Sequence, residues 1–221
     1  MIKRWIAFPC LLLLMSSHLH AQNTQEATAP QSSQAGINHD YFYADLSSGS
    51  YDENIGVNSN VTALAVGFSA DYRENWLLGF DYAARFVHRD VGTQEFTNEY
   101  YVMQPAVGYR FPLAEKFELA PRAKIGFKRL NIVEKDSDER IQREDDFIYG
   151  FDIKAIYRAT KKLELAAIGE LVRSESFDEN VLVIRGDYHL SKNFSLGAFY
   201  THRDMNDNTT NEGGIALRYY Y

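Results

Sequence analysis

Histidine, arginine and aspartate stand together twice in this 221-residue chain, as His88-Arg89-Asp90 and His202-Arg203-Asp204. An imidazole beside a carboxylate can act as a general base on water, the pairing a hydrolase needs. His189 and Ser191 are likewise of the types that serve as base and nucleophile. In the run NIVEKDSDERIQREDD (131–146), Asp136, Asp138, Asp145 and Asp146 are oxygen ligands of the kind that hold Ca²⁺ or Mg²⁺. The Gly and the ligand spacing of an EF-hand are missing, so the run reads as a solvated loop. No Gly-rich phosphate loop, nucleophile elbow or dinucleotide motif occurs, and the four His after residue 21 lack metal-ligand spacing. No cofactor and no metal are expected.

Whether such residues meet depends on the elements that carry them. The length fits one domain. With 15 Tyr, 14 Phe and 45% hydrophobic residues, most of the chain is not disordered. A mean hydropathy of −0.37, with no apolar run near the ~18 residues of a spanning helix, excludes a helical membrane protein. Acids outnumber bases 30 to 23, which argues against nucleic acid as a partner. Residues 1–21 read as a secretory signal peptide: Lys3 and Arg4, an apolar stretch from Trp5 to Met15, and small Ala21 before the cut. Its removal takes away Cys10 and leaves 21 bases against 30 acids, net −9, so no disulfide can staple the exported chain. Residues 22–38 (QNTQEATAPQSSQAGIN) have no periodicity and read as a flexible periplasmic leader, with ordering as a plug the alternative.

From Tyr41 onward the pattern has period two. Leu78, Phe80, Tyr82, Ala84 and Phe86 alternate with Gly79, Asp81, Ala83, Arg85 and Val87; in a strand the two sets face opposite sides. Ten such segments fall near 41–47, 60–73, 77–88, 99–111, 117–130, 147–159, 163–173, 181–190, 194–203 and 212–221. Short connectors (74–76, 112–116, 160–162, 191–193) alternate with longer polar ones (48–59, 89–98, 131–146, 174–180, 204–211). Short turns at one end and long loops at the other, with apolar residues on one face and charges mid-strand on the other, describe a closed antiparallel transmembrane β-barrel. Residues 39–221 would form this all-β domain, most simply as a ten-stranded monomer with both termini periplasmic; the weak first segment leaves eight strands as the alternative. A soluble barrel with its apolar face inward would make the turn asymmetry an accident. Pro105 and Pro121 within strands suggest bulges.

The inward set would then hold Asp71, Asp81, Glu118, Asp152, Glu164, Glu170 and Asp187, with Arg73, Arg85, Arg110, Arg122, Lys124, Lys128, Lys154, Arg158, Arg185 and Arg218. A bore of ten strands is narrow, and charges inside it must pair. Structural pairing is the first reading of this network, and a narrow pathway for ions or small solutes the second. Parity turns His88, Asp90, His202 and Asp204 outward, away from a shared lumenal site.

The pattern over 39–221 resembles the small bacterial outer-membrane β-barrels, the superfamily of OmpA-like and OmpX-like proteins. The ending Ile215-Ala216-Leu217-Arg218-Tyr219-Tyr220-Tyr221 is similar to the C-terminal signal read by the barrel-assembly machinery, with Tyr219 and Tyr221 in its aromatic and hydrophobic positions. Ala216 stands where that signal often has Gly. The resemblance implies localisation in the outer membrane, with lipid and lipopolysaccharide as surroundings. It also implies a structural role or one exerted through extracellular loops: envelope integrity, adhesion or lipopolysaccharide contact. The His-Arg-Asp pairs invite comparison with omptin-type proteases, but parity and the short chain oppose it. His189 and Ser191 invite comparison with lipid A deacylases, but they sit beside a periplasmic turn. No enzymatic activity is expected.

Overall fold

The computed structural model describes residues 36–51, 60–91, 94–135, 137, 139–175, 177–205 and 208–221. The expected signal peptide, most of the expected leader, Asp136, Asp138 and the side chain of Asp90 lie outside them. Alternating β-branched, aromatic and small residues pay out into strand after strand, with no helix among the described residues. The segments are β1 (Tyr41–Tyr51), β2 (Val61–Tyr72), β3 (Trp76–Val91), β4 (Gln94–Tyr109), β5 (Phe111–Ala114), β6 (Phe117–Glu134), β7 (Glu139–Arg158), β8 (Leu163–Arg173), β9 (Asp178–His189), β10 (Phe194–Met205) and β11 (Asn208–Tyr220). β5 continues β4 along β6, so eleven segments make ten antiparallel staves. First and last strands close the sheet, Tyr41 opposite Tyr220 through Tyr51 opposite Thr210. Closure leaves no sheet edge around the wall, which is what a barrel in hydrocarbon requires.

Both prolines fall in gaps of the β4–β6 ladder. Pro105 lies between the pairs Met103–Phe127 and Ala106–Lys124, and Pro121 between Gly108–Arg122 and Phe111–Leu119. The register is the same on either side of each gap, so the prolines omit ladder bonds without inserting a residue, contrary to the expected bulges. The shift in this stave comes later, between Pro112 and Ala114. Beside the first gap a side chain on Gly126 would overlap the carbonyl oxygen of Met103, so only glycine fits there.

The connectors differ at the two ends. Tight turns close one end, and Arg73 (φ 45°) and Glu74 (φ 50°) take the left-handed geometry that a hairpin's right-handed twist favours. At the other end the polar stretches expected as loops are mostly strand. β3 runs to Val91 and β4 starts at Gln94, while β6 reaches Glu134 and β7 begins at Glu139. Polarity misleads here because cross-strand charge pairs satisfy the side chains. Lys135 pairs with Glu95, and Arg129 Nε donates to Asp145 at 2.5 Å. The β7–β8 ladder begins only at Tyr149 opposite Arg173, so β7 continues past its neighbour as one edge of a projecting hairpin.

The outer face is apolar: Phe42, Leu46, Ile125, Ile153, Ile184 and Ile215 are all exposed. Rings gather at both borders. Trp76–Tyr109, Tyr109–Phe111 and Phe194–Tyr219 stand 5.4, 4.9 and 5.0 Å apart at the short-turn end. At the hairpin end Phe86–Tyr101 and Phe127–Phe147 stand 6.1 and 5.7 Å apart. Exposed aliphatics between two aromatic belts suit hydrocarbon between two interfaces.

Candidate functional site

Period two sends every second residue of each stave inward, and the bore is filled with charge arranged in tiers. At the short-turn mouth Arg110 Nη1 donates to both oxygens of Asp71 (2.8 and 2.7 Å). His39 Nε2 and Glu118 Oε1 are 2.6 Å apart in a buried contact. Ile37 packs on Ile156 and Ala166, and Arg158 Nη2 donates to the carbonyl of Gly36. The end of the expected leader is therefore folded into the mouth, where burial of Ile37 outweighs the ordering of a short segment.

The next tier joins staves that are not neighbours in the wall. Arg185, on β9, donates to Asp187 on the same strand (Nε to Oδ2, 2.9 Å) and to Asp45 on β1 (Nη1 to Oδ2, 3.1 Å). Arg218 bridges Glu164 (3.1 Å) and Asp187 (3.2 Å), with its guanidinium 4.8 Å from the Tyr41 ring. In the middle tier Arg122 Nε and Nη2 donate to Asp152 (3.0 and 2.6 Å), and Nη2 reaches Asp81 on β3 (3.2 Å). Lys124 Nζ lies within 2.6 Å of Glu170, 2.9 Å of Asp81 and 3.1 Å of Asp152. Tyr43 OH donates to Asp81 at 2.7 Å. Asp152 is 0% exposed, so this pairing is what permits its burial.

Towards the projecting hairpins, Glu212 receives Arg85 (3.0 Å), Arg203 (3.3 Å) and Ser47 Oγ (2.9 Å), while Arg203 also reaches Glu179 (3.1 Å). Phe177 lies 3.4 Å above Lys128 Nζ. A cavity of about 210 Å³ remains along the bore, lined from Tyr41 and Arg218 through Lys154 and Gln104 to Tyr100 and Phe199. Beyond the Phe147 ring, Arg129 and then Arg143 donate to Asp145, and these hydrogen bonds hold its carboxyl below the ordinary carboxylate range. Lys135 does the same for Glu95 by hydrogen bonding.

Of the residues expected in the lumen, Asp81, Arg85, Arg122, Lys124, Asp152, Lys154, Arg185, Asp187 and Arg218 face the bore, and Asp71 and Arg110 stand at its short-turn rim. Arg73 does not belong to this set; it occupies a turn with its guanidinium 5.4 Å from the Tyr72 ring. Asp45, Glu179, Glu212 and His39 were missed. Continuing the alternation from Tyr43, Arg185 and Arg218 would have found the first three, whereas His39 precedes the first strand and had no pattern to reveal it. The two His-Arg-Asp motifs do not meet. His88, on β3, contacts Thr97 Oγ1 through Nδ1 (3.0 Å); His202, on β10, contacts Asn211 Oδ1 through Nδ1 (2.8 Å). At the C-terminus, the Tyr219 ring packs on Phe194 at a 51° tilt, and Tyr221 lies 5.1 Å from Phe42.

Among solved structures, the β-domain of the Bordetella autotransporter BrkA is similar to this chain at 12% identity and TM-score 0.54, covering 83% of this chain and 100% of that one. The translocator domain of the autotransporter NalP from Neisseria meningitidis is 13% identical, with TM-score 0.49 over 85% of this chain and 90% of that one. Neisserial surface protein A is 11% identical, with TM-score 0.45 over 84% and 99%. No curated protein matches the chain. The sequence profile described as the outer membrane protein beta-barrel domain matches residues 10–221. With a closed ten-stave wall, an apolar belt and a charged bore, the chain belongs to that family, as a β-barrel of the bacterial outer membrane.

Proposed function

We propose that this protein is a plugged barrel that works through the surface it presents outside the cell, in envelope contact or adhesion, and that it is neither an open pore nor an enzyme. The observation that carries this reading is the set of ion pairs running across the bore. Arg122 ties β6 to β3 and β7, Arg185 ties β9 to β1, and Arg85 ties β3 to β11. Each holds a guanidinium that is buried in the bore, so hydrated ions would have to displace these pairs to pass. Ile37 and His39 add a second obstruction at the periplasmic mouth. Outside, the β6–β7 hairpin offers a mixed-charge surface suited to lipopolysaccharide or to another macromolecule. Outer-membrane lipid surrounds the belt, the barrel-assembly machinery reads Tyr219 and Tyr221, and the barrel acts as a monomer. A narrow channel is the second reading, favoured by the cavity among the lumenal charges.

The test is single-channel recording of the protein in a planar bilayer, with insertion checked on the same sample by heat-modifiable gel mobility. Inserted but silent protein is the expected result. Discrete, stable openings would overturn the plugged reading in favour of the channel.

A further inference from the structure

The lipid-facing side of the wall is not evenly apolar. Where β7, β8, β9 and β10 run side by side, the register sets Ile153, Gly169, Leu182 and His202 in one outward row. Phe151, Leu171, Asn180 and Asp204 form the next row towards the hairpin end. The two rows line an open groove of about 450 Å³, a size that takes a small ligand. Gly169 is its floor. It pairs on both sides within the sheet, where the backbone accepts any residue, and a Cβ there would meet nothing within 4 Å, so the missing side chain makes the gap. Phe151, Ile153, Leu171 and Leu182 are exposed around it. Phe147, in the aromatic border, precedes Phe151 by two outward positions on β7, so the groove opens just beneath the outer interface.

The corner of the groove on β9 and β10 is polar. Arg173 Nη2 donates to Asn180 Oδ1 (2.7 Å), which leaves the Asn180 amide N–H groups to donate. His202 Nδ1 lies 2.8 Å from Asn211 Oδ1, and with the proton there Nε2 of the neutral ring accepts. Asp204 is exposed and has no hydrogen bond or ion pair among the described residues. The second His-Arg-Asp motif is thus divided by the wall, with Arg203 pairing inside and His202 and Asp204 outside. A carboxylate beside hydrocarbon is costly unless something donates to it. The guanidinium of Arg173 is engaged by the carbonyls of Val172 and Glu179 and by Asn180, so this corner is not built for a phosphate. It fits an amphiphile with O–H and N–H groups where head meets chain. We infer that the groove binds the acylated amino sugar of lipopolysaccharide, with one acyl chain over Gly169 and the sugar's hydroxyl and amide groups on Asp204, His202 and Asn180. The site goes beyond the plugged reading and does not rest on it. It lies outside the wall, away from the β6–β7 hairpin, so channel recording and lipid binding can fail separately.

The experiment uses the protein purified from outer membranes in a mild detergent and counts retained lipid by native mass spectrometry. The probes are lipid A, its dephosphorylated form, and phosphatidylcholine, which has acyl chains but no O–H or N–H donor. Both forms of lipid A should be retained equally, and phosphatidylcholine about tenfold more weakly. Gly169→Phe puts a ring into open space and Asp204→Leu alters an exposed side chain, so both variants should keep heat-modifiable mobility. Each should weaken retention of lipid A about tenfold or more, and either folded variant suffices for the test. Full retention by a folded variant overturns the inference. Equal retention of phosphatidylcholine does so too, because the chain alone would then decide. A tenfold loss on dephosphorylation overturns it as well, since the phosphates would then be what the protein holds.

Discussion

Replacing Asp152 by alanine tests whether the lumenal ion pairs hold the barrel together. Asp152 is 0% exposed and accepts three hydrogen bonds from Arg122, two from Nε at 3.0 and 3.1 Å and one from Nη2 at 2.6 Å. Lys124 lies 3.1 Å away. Without this carboxylate, Arg122 keeps only its 3.2 Å contact to Asp81, while Lys124 keeps Asp81 and Glu170. Removing one partner of a buried pair costs about 3–5 kcal/mol. The adjoining cavity lets water reach part of the vacated site, so the lower end, about 3 kcal/mol, is expected. With a urea slope of about 2 kcal/mol per molar, that shifts the unfolding midpoint down by ~1.5 M. The assay is urea unfolding in detergent, followed by tryptophan fluorescence and by heat-modifiable mobility. Asp152→Asn keeps one acceptor and should lose roughly half as much. In the Arg122→Met/Asp152→Ala double variant the two losses should not add, because the guanidinium no longer lacks its partner. A midpoint for Asp152→Ala within about 0.3 M of the parent would refute the reasoning, since it would mean the bore is wet enough to screen the pair.

Two further outcomes follow from the geometry. The Asp145 carboxyl is held below its ordinary range by Arg129 and Arg143, so its support of the β6–β7 hairpin is fully present above the unfolded value. That support is lost as pH falls through the lower, folded value. Amide protection in 129–145, measured by hydrogen exchange, should therefore stay level from pH 7 to about pH 4.5 and fall only below about pH 4; a fall between pH 6 and 5 would contradict it. Tyr221→Ala removes a ring that packs on Phe42 and a hydroxyl that donates to the Ser69 carbonyl at 3.5 Å, so refolding in detergent should lose about 1 kcal/mol. The amount reaching the outer membrane in cells should drop several-fold if the assembly machinery reads that residue, and equal amounts would count against such recognition.

The wall of this protein is legible in one dimension. Leu78, Phe80 and Tyr82 alternate with Gly79, Asp81 and Ala83, and because successive side chains of a strand point to opposite faces, the two surfaces can be sorted without knowing any neighbour. The tight turns at 73–75 and 191–193 and the apolar outer face are legible for the same reason. The polar hairpin of β6 and β7 was not, since Arg129 and Asp145 look like loop residues until the register sets them opposite each other. Which charges meet inside the bore was still less accessible. Arg185 and Asp45 are 140 residues apart and become neighbours only because β1 closes on β11, and the closed wall then turns both inward. Arg85 meets Glu212 for the same reason. A local period of two sets the side a residue faces. Closure alone decides which residue it faces, and therefore which charges are paired, which cation is left with an aromatic ring, and that Ile37 and His39 fill the mouth.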